Sequence, residues 1–507
     1  MLISDHLLLN YKRCSRRTFL EIFGNPQERD PAKDFLLKLK RENQTHMRNV
    51  IAARSLKPDQ PQASRHDWQL NTKQTVELMQ QGVDCIVGGA LKVNYAQWLS
   101  VRPDVSNLQL TNKQALLAKT TLTAAPSLLI KQSGTSIFGN WEYIPVNIKL
   151  GRKPKPEYKL IAAFHAQILA IIQEKIPKRS QLILKEHNSH EIDLAYGLIK
   201  MRETVAECLI MLAEQNEPEV FISRQRCSLC NWYGYCHQVA KSTEHLSLIP
   251  GITPKRYEYL QSLGVNNIQS LVKISQTRLE ETLGYETAHQ LKQQISAIKS
   301  DRPLVRSNFD LVNIQPIPSS AIELYFDIEA EPERQTDYLL GVLLVDRVNK
   351  TEQFHAFMAE SLAEEGKIWQ EFLDFVALYP DAPIFHYSEY EADTIKRLAK
   401  LYDTPRDQKK EILSRLVDLH FWVTKTVIFP VESYSLKSLA NWMGFYWRET
   451  TGSGDQSVCW YDQWLITQDR ALLNLILSYN EDDCRATRCL KDWLLNFLEE
   501  QRKQNLE

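Results

Sequence analysis

Leu324-Tyr325-Phe326-Asp327-Ile328-Glu329 is an apolar run that carries two carboxylates. Side chains alternate across a strand, so Asp327 and Glu329 share one face and Phe326 and Ile328 the other. Two acids side by side repel each other. A pair of divalent metal ions would satisfy them and would also do chemistry on phosphate esters. The plainer alternative is an edge strand with a solvated acidic face. A second acidic stretch, Ser478-Tyr479-Asn480-Glu481-Asp482-Asp483-Cys484, lies in a helical pattern running from about 471 to 498. Tyr479 and Asp483 are four apart there and project from one helix face. Between the two lies His386-Tyr387-Ser388-Glu389-Tyr390-Glu391, where an apolar run meets a helix start.

Together these stretches resemble the three exonuclease motifs of the DnaQ-like, or DEDD, branch of the RNase H-like nucleases. Asp327 and Glu329 match the D-x-E of the first motif. Tyr479 and Asp483 match the Y-x-x-x-D of the third, as in the tyrosine subtype. The second motif ends in an aromatic followed by Asp; here the pair is Tyr390 and Glu391, whose side chain is one methylene longer. The resemblance covers residues 321–507. It implies an α/β RNase H-like domain and a 3′→5′ exonuclease acting on DNA or RNA. Asp327, Glu329, Glu391 and Asp483 would hold Mg²⁺ or Mn²⁺, and Tyr479 would position or help deprotonate the attacking water.

The rest of the chain must position these groups. Its 507 residues give room for two to four domains. With 61 basic and 62 acidic residues, overall charge does not mark a nucleic-acid binder, though local patches can serve. No run of about 18 apolar residues is present, which argues against a membrane span. Asp5 and His6 come early and no small-residue cleavage site follows, so no signal peptide is expected and a cytoplasmic location is. Nine cysteines in such a chain read as thiols or metal ligands rather than disulfides. No G-x-x-x-x-G-K-[ST] occurs, so the chain carries no sign of an ATP motor; any helicase would be a separate partner.

Cys227-x-x-Cys230-x5-Cys236 is a metal-ligand spacing that asks for a fourth donor. His237 would complete a zinc site, and the distant Cys14 would complete an all-cysteine site for zinc or an iron–sulfur cluster. One early cysteine with a late C-x2-C-x5-C resembles the iron–sulfur RecB-like nucleases. That resemblance implies Cys14, Cys227, Cys230 and Cys236 around a structural [4Fe–4S] cluster, with zinc as the alternative. It also implies a PD-(D/E)xK site between the cysteines. His46 lies in a helix-like stretch, Pro103-Asp104 matches the PD, and Asn147 and Lys149 share a strand face where D/E-x-K is expected. Asn147 is neutral where the family has a carboxylate, so it supplies no charge to hold a metal. Residues 1–245 are therefore expected to be a degenerate RecB-like domain that binds nucleic acid. The basic run from Lys149 to Lys155 is either a solvated loop or a phosphate contact.

Residues 246–300 resemble paired helix-hairpin-helix units, with Gly251 at a hairpin and Lys255 and Arg256 adding charge toward a phosphate backbone. The alternative is a small helical spacer. Residues 301–320, with Pro303, Pro316 and Pro318, read as a linker. In the last domain Asp418 is either a site residue or a structural acid, and Lys437 a candidate phosphate contact. The whole chain resembles bacterial RecB-like nucleases fused to a C-terminal RNase H-like exonuclease domain, which implies DNA repair, recombination or defence. Two rivals are a non-catalytic nucleic-acid-binding scaffold and an N-terminal site that cuts despite Asn147.

Overall fold

The computed structural model of the protein describes residues 1–54, 57–64, 67–100, 118–310 and 316–504. It divides into two units, Met1–Val239 and Ala240–Glu507. Among the described residues no helix is long and apolar enough to cross a membrane.

In the first unit a five-stranded sheet runs in the order Cys85–Val87, Leu128–Ser136, Gly139–Ile148, Ser180–Ile183, Ser189–Ile192. Strand Gly139–Ile148 pairs antiparallel with Leu128–Ser136 and parallel with Ser180–Ile183. The parallel step needs a crossover, and the apolar helix Pro156–Ile172 supplies it. Ile144, Val146 and Ile148 cluster with Val50, and Met47 and Ile51 of helix Asp34–Ala52 pack against them. Tyr143, on the opposite face, packs with Ile161 and Phe164 of the crossover helix. Strand alternation thus assigns Asn147 to the crossover-helix face.

The second unit contains a sheet in the order Thr351–Met358, Thr336–Asp346, Ile322–Glu331, Ile384–His386, Leu416–Asp418. The first three strands form an antiparallel meander, and the last two run parallel to the central one. Leu324, Phe326 and Ile328 enter one core with Trp369 and Phe372 of helix Glu365–Ala377. Tyr325, on the other face, enters a second core with Cys484, Leu490 and Leu494 of the long helix Arg470–Gln504. The period-two pattern therefore turns Asp327 and Glu329 toward the helix that carries Tyr479 and Asp483. Farther along that helix a buried ion pair fixes the docking: Lys491 Nζ lies 2.6 Å from Glu323 Oε1. Burial pulls the Glu323 carboxyl upward, but Lys491, Tyr325 and Arg347 outweigh it and hold it below the usual range.

Residues 246–300 fold into helices Pro254–Ser262, Ile268–Lys273, Gln276–Leu283 and Tyr285–Ser300. The sequence marks 301–320 as a linker, yet Leu304–Val305 pairs as a strand with Val427–Ile428, and Ile317 is buried. Gln294 Nε2 donates to the Phe429 carbonyl at 2.6 Å, and Tyr434 donates to Gln294 Oε1 at 3.2 Å. The prolines signal a break in regular structure but not whether the chain around them packs.

Candidate metal centre

Asp327, Glu329 and Asp483 each offer a carboxylate oxygen, and these oxygens all lie within 4.8 Å of one another. Strand alternation delivers the first two and one turn of the long helix delivers the third. Each has fixed partners. Asn480 Nδ2 donates to Asp327 Oδ2 at 2.7 Å, and Trp447 Nε1 donates to Asp483 Oδ1 at 3.0 Å. Ser457 and Tyr338 hydrogen-bond Glu329, and Tyr479 hydrogen-bonds Asp483.

Burial, then the charges of Asp483, Glu329 and Glu391, pushes the Asp327 carboxyl well above its ordinary value. Burial and Asp483 do the same to Glu329. Burial raises Asp483 from 3.8 to about 7, with Trp447, Tyr479 and Lys437 pulling the other way. Among the described residues no cationic side chain bonds to these three crowded, desolvated carboxylates, a charge deficit that a divalent ion would offset. Burial and the same acids hold the Tyr479 phenol far above its ordinary value, so it donates to Asp483 as a neutral group.

Glu391 sits in the first turn of helix Glu389–Leu401, near enough to act on the Asp327 charge but outside the group of three. Ser388 Oγ donates to Glu391 Oε2 at 2.9 Å, and His386 Nδ1 is 3.4 Å from the same oxygen. Ser388 also accepts from Tyr390 N at 3.1 Å as the N-cap. The longer side chain reaches back to its own helix start, a contact typical of a capping residue. Lys437 Nζ donates to the Gly452 carbonyl at 2.8 Å and lies 5.5 Å from the Trp447 ring centroid. Asp418 caps helix Leu419–Thr426, accepting from His420 N at 2.8 Å, which is its structural reading.

Asn480, Trp447, Tyr338 and Ser457 were not among the expected site residues. Asn480 stood inside the third motif without an assigned task. Trp447 is 36 positions from Asp483 in sequence, and no local pattern links them.

The N-terminal candidates come together only in part. Asn147 is buried, and its Nδ2 makes no hydrogen bond. Lys149 follows on the same face; burial lowers its pKa, and Asp5 partly offsets this. Asp5 Oδ2 lies 2.8 Å from His165 Nε2 and accepts from Ala125 N at 3.1 Å. His46 is on helix Asp34–Ala52, which packs on the other face of the strand. Asp104 lies outside the described residues. Register pairs Leu128 with Val146, and Ser127, just before that strand, accepts from Ile148 N through its Oγ at 3.0 Å.

Cys14 joins helices Asp5–Arg13 and Ser15–Phe23, and its thiol acts electrostatically on those of Cys227, Cys230 and Cys236. Burial first, and the neighbouring thiols after it, raise Cys227 and Cys230, and raise Cys236 to about 11. Phe19, Leu20 and Trp232 pack with Cys230 and Cys236. The His237 ring stacks on Tyr233. Gly251 adopts φ +88°, a backbone that favours glycine, and its carbonyl accepts from Arg256 at 2.6 Å.

Residues 324–495 match a model of the RNase_H superfamily, RNase_H_2. The C-terminal region is an RNase H-like domain. Proteins with this domain typically process nucleic acids with divalent metal ions such as Mg²⁺. No curated protein matches the chain.

Proposed function

We propose that the RNase H-like domain is a metal-dependent nuclease, a 3′→5′ exonuclease in polarity, with Asp327, Glu329 and Asp483 as its ligands. The observation that carries this reading is the buried group of three carboxylates beside a phenol, with pKa values raised by burial and mutual repulsion. Bound Mg²⁺ or Mn²⁺ would polarise the scissile phosphate and acidify a water. Asn480 and Trp447 hold Asp327 and Asp483 in place, and Glu329 is held by Ser457 and Tyr338. Tyr479 stays protonated and orients the attacking water rather than removing its proton. Glu391 tunes the charge at Asp327 and shares the site from its capped position. DNA is the preferred substrate in this reading.

In the same proposal the N-terminal unit is a RecB-like domain that binds nucleic acid without cutting it. The neutral, buried Asn147 supports this, because it offers no charge to a cation. Cys14, Cys227, Cys230 and Cys236 hold a [4Fe–4S] cluster that ties the two ends of the unit together. Residues 246–300, with Gly251, Lys255 and Arg256, contribute backbone contacts to the nucleic acid.

The test is degradation of end-labelled single-stranded DNA and RNA with Mn²⁺ or Mg²⁺ by the wild type and Asp327→Ala. Shortening from the 3′ end by the wild type alone is the expected result. Binding without cutting by either would leave a scaffold.

A further inference from the structure

Asn480 is fully buried on the long helix, between Tyr479 and Glu481. Its amide nitrogen donates to Asp327 Oδ2, while its amide oxygen is buried and makes no hydrogen bond. Leaving a buried carbonyl unpaired is destabilising, so what the nitrogen does must outweigh it. The side chain is wedged against Gly341, the residue paired with Asp327 across the two strands. A Cβ at position 341 would sit 1.7 Å from the Asn480 amide oxygen and 2.8 Å from its Cγ. No rotation of a methyl relieves that approach, so glycine at 341 and asparagine at 480 depend on each other.

We propose that Asn480 is a positioning residue for the metal centre, orienting the Asp327 carboxylate through its hydrogen bond to Oδ2, and that Gly341 is glycine to admit it. The proposal rests on the metal-centre reading above. A carboxylate has two oxygens and about four acceptor sites, so one N–H donor orients the group without consuming it. The donor also has to be neutral. An aspartate at 480 would be a further acid beside three, and a lysine would compete with the metal for Asp327. An asparagine supplies the hydrogen bond at no charge. Partners of this kind behind metal ligands are worth about 10–100-fold in metal affinity.

The experiment uses the full chain and Mn²⁺ alone as probe, followed by electron paramagnetic resonance of the free ion, with thermal unfolding of the metal-free proteins as the folding control. Asn480→Leu, close in shape but without the donor, should weaken Mn²⁺ binding about 10–100-fold. Gly341→Ala should do the same by eviction, and the double variant should be no weaker than the worse single one, because both break one contact. Cleavage by Asn480→Leu should fall at limiting Mn²⁺ and recover at saturating Mn²⁺, which a packing defect would not produce. Wild-type Mn²⁺ affinity in Asn480→Leu overturns the proposal. Should that variant fail to fold, wild-type affinity in Gly341→Ala overturns it instead. A wild type that takes up no Mn²⁺, or an Asp483→Ala that binds it equally well, shows that the metal-centre reading itself is wrong and removes this proposal with it.

Discussion

Two strands in this protein present polar side chains to a packed helix, one in each unit, and they differ in charge. At the C-terminal one, Asp327 and Glu329 meet Asp483, and all three carboxyls are driven upward by burial and by one another. At the N-terminal one, Asn147 is neutral, Lys149 is a basic group whose pKa burial lowers, and the nearby acid Asp5 is engaged by His165 and the Ala125 amide. The first arrangement is short of positive charge and the second is not. A cation is held by a surplus of carboxylate, so the first arrangement suits a divalent ion and the second does not.

The largest effect that would break the comparison is in activity. Asp483→Ala should lower cleavage by more than the roughly 100-fold that loss of an outer partner costs, whereas Lys149→Ala should stay within about twofold of wild type. End-labelled cleavage assays at fixed Mn²⁺ read both, and the reverse ranking would move catalysis to the first unit. Next comes Glu391. Glu391→Ala should cost about 10-fold in cleavage rate, because it both removes a charge near Asp327 and frees Ser388. Glu391→Gln keeps the contact to Ser388 and should lose less. A loss in Glu391→Gln as deep as in Asp327→Ala would promote Glu391 to a full ligand.

The pH dependence sharpens the same contrast. Asp483 holds a proton in the metal-free fold up to about pH 7, while in the unfolded chain it gives it up near 3.8. The folded state therefore binds more protons across that window, and stability falls as pH rises through it. The contribution is fully present below 3.8 and lost above about 7. Mn²⁺ competes with those protons, so the rise in melting temperature on adding it should grow from pH 5.5 to pH 8, read by thermal unfolding with and without the ion. Asp483→Asn should remove most of that growth. The smallest effect is at Asp418: Asp418→Ala should cost about 1 kcal/mol of stability through loss of a helix cap, measured by denaturant unfolding, with cleavage unchanged.

Much of the C-terminal site was legible because its determinants are periodic. A two-residue alternation put Asp327 and Glu329 on one face, and a four-residue spacing put Tyr479 and Asp483 on another. Both are local rules that hold wherever the chain goes. The sequence also carried the cysteine spacing that brings Cys14 into question, and the neutral Asn147 where an acid was sought. Pro103-Asp104, a dipeptide common in turns, lies outside the described residues. The sequence left Asp418 undecided, since an acid before a helix is a cap or a ligand depending on what lies opposite.

By itself, then, the sequence determined which residues share a face, how much charge each candidate site carries, and which donors suit a metal. Only the tertiary structure decided which faces meet. Trp447 reaches Asp483 and Asn480 reaches Asp327 because the long helix docks on one side of the central strand, held by Lys491 and Glu323 and admitted by Gly341. Local spacing fixes the direction of a side chain, but contact between distant segments depends on packing and on the backbone room a neighbour leaves.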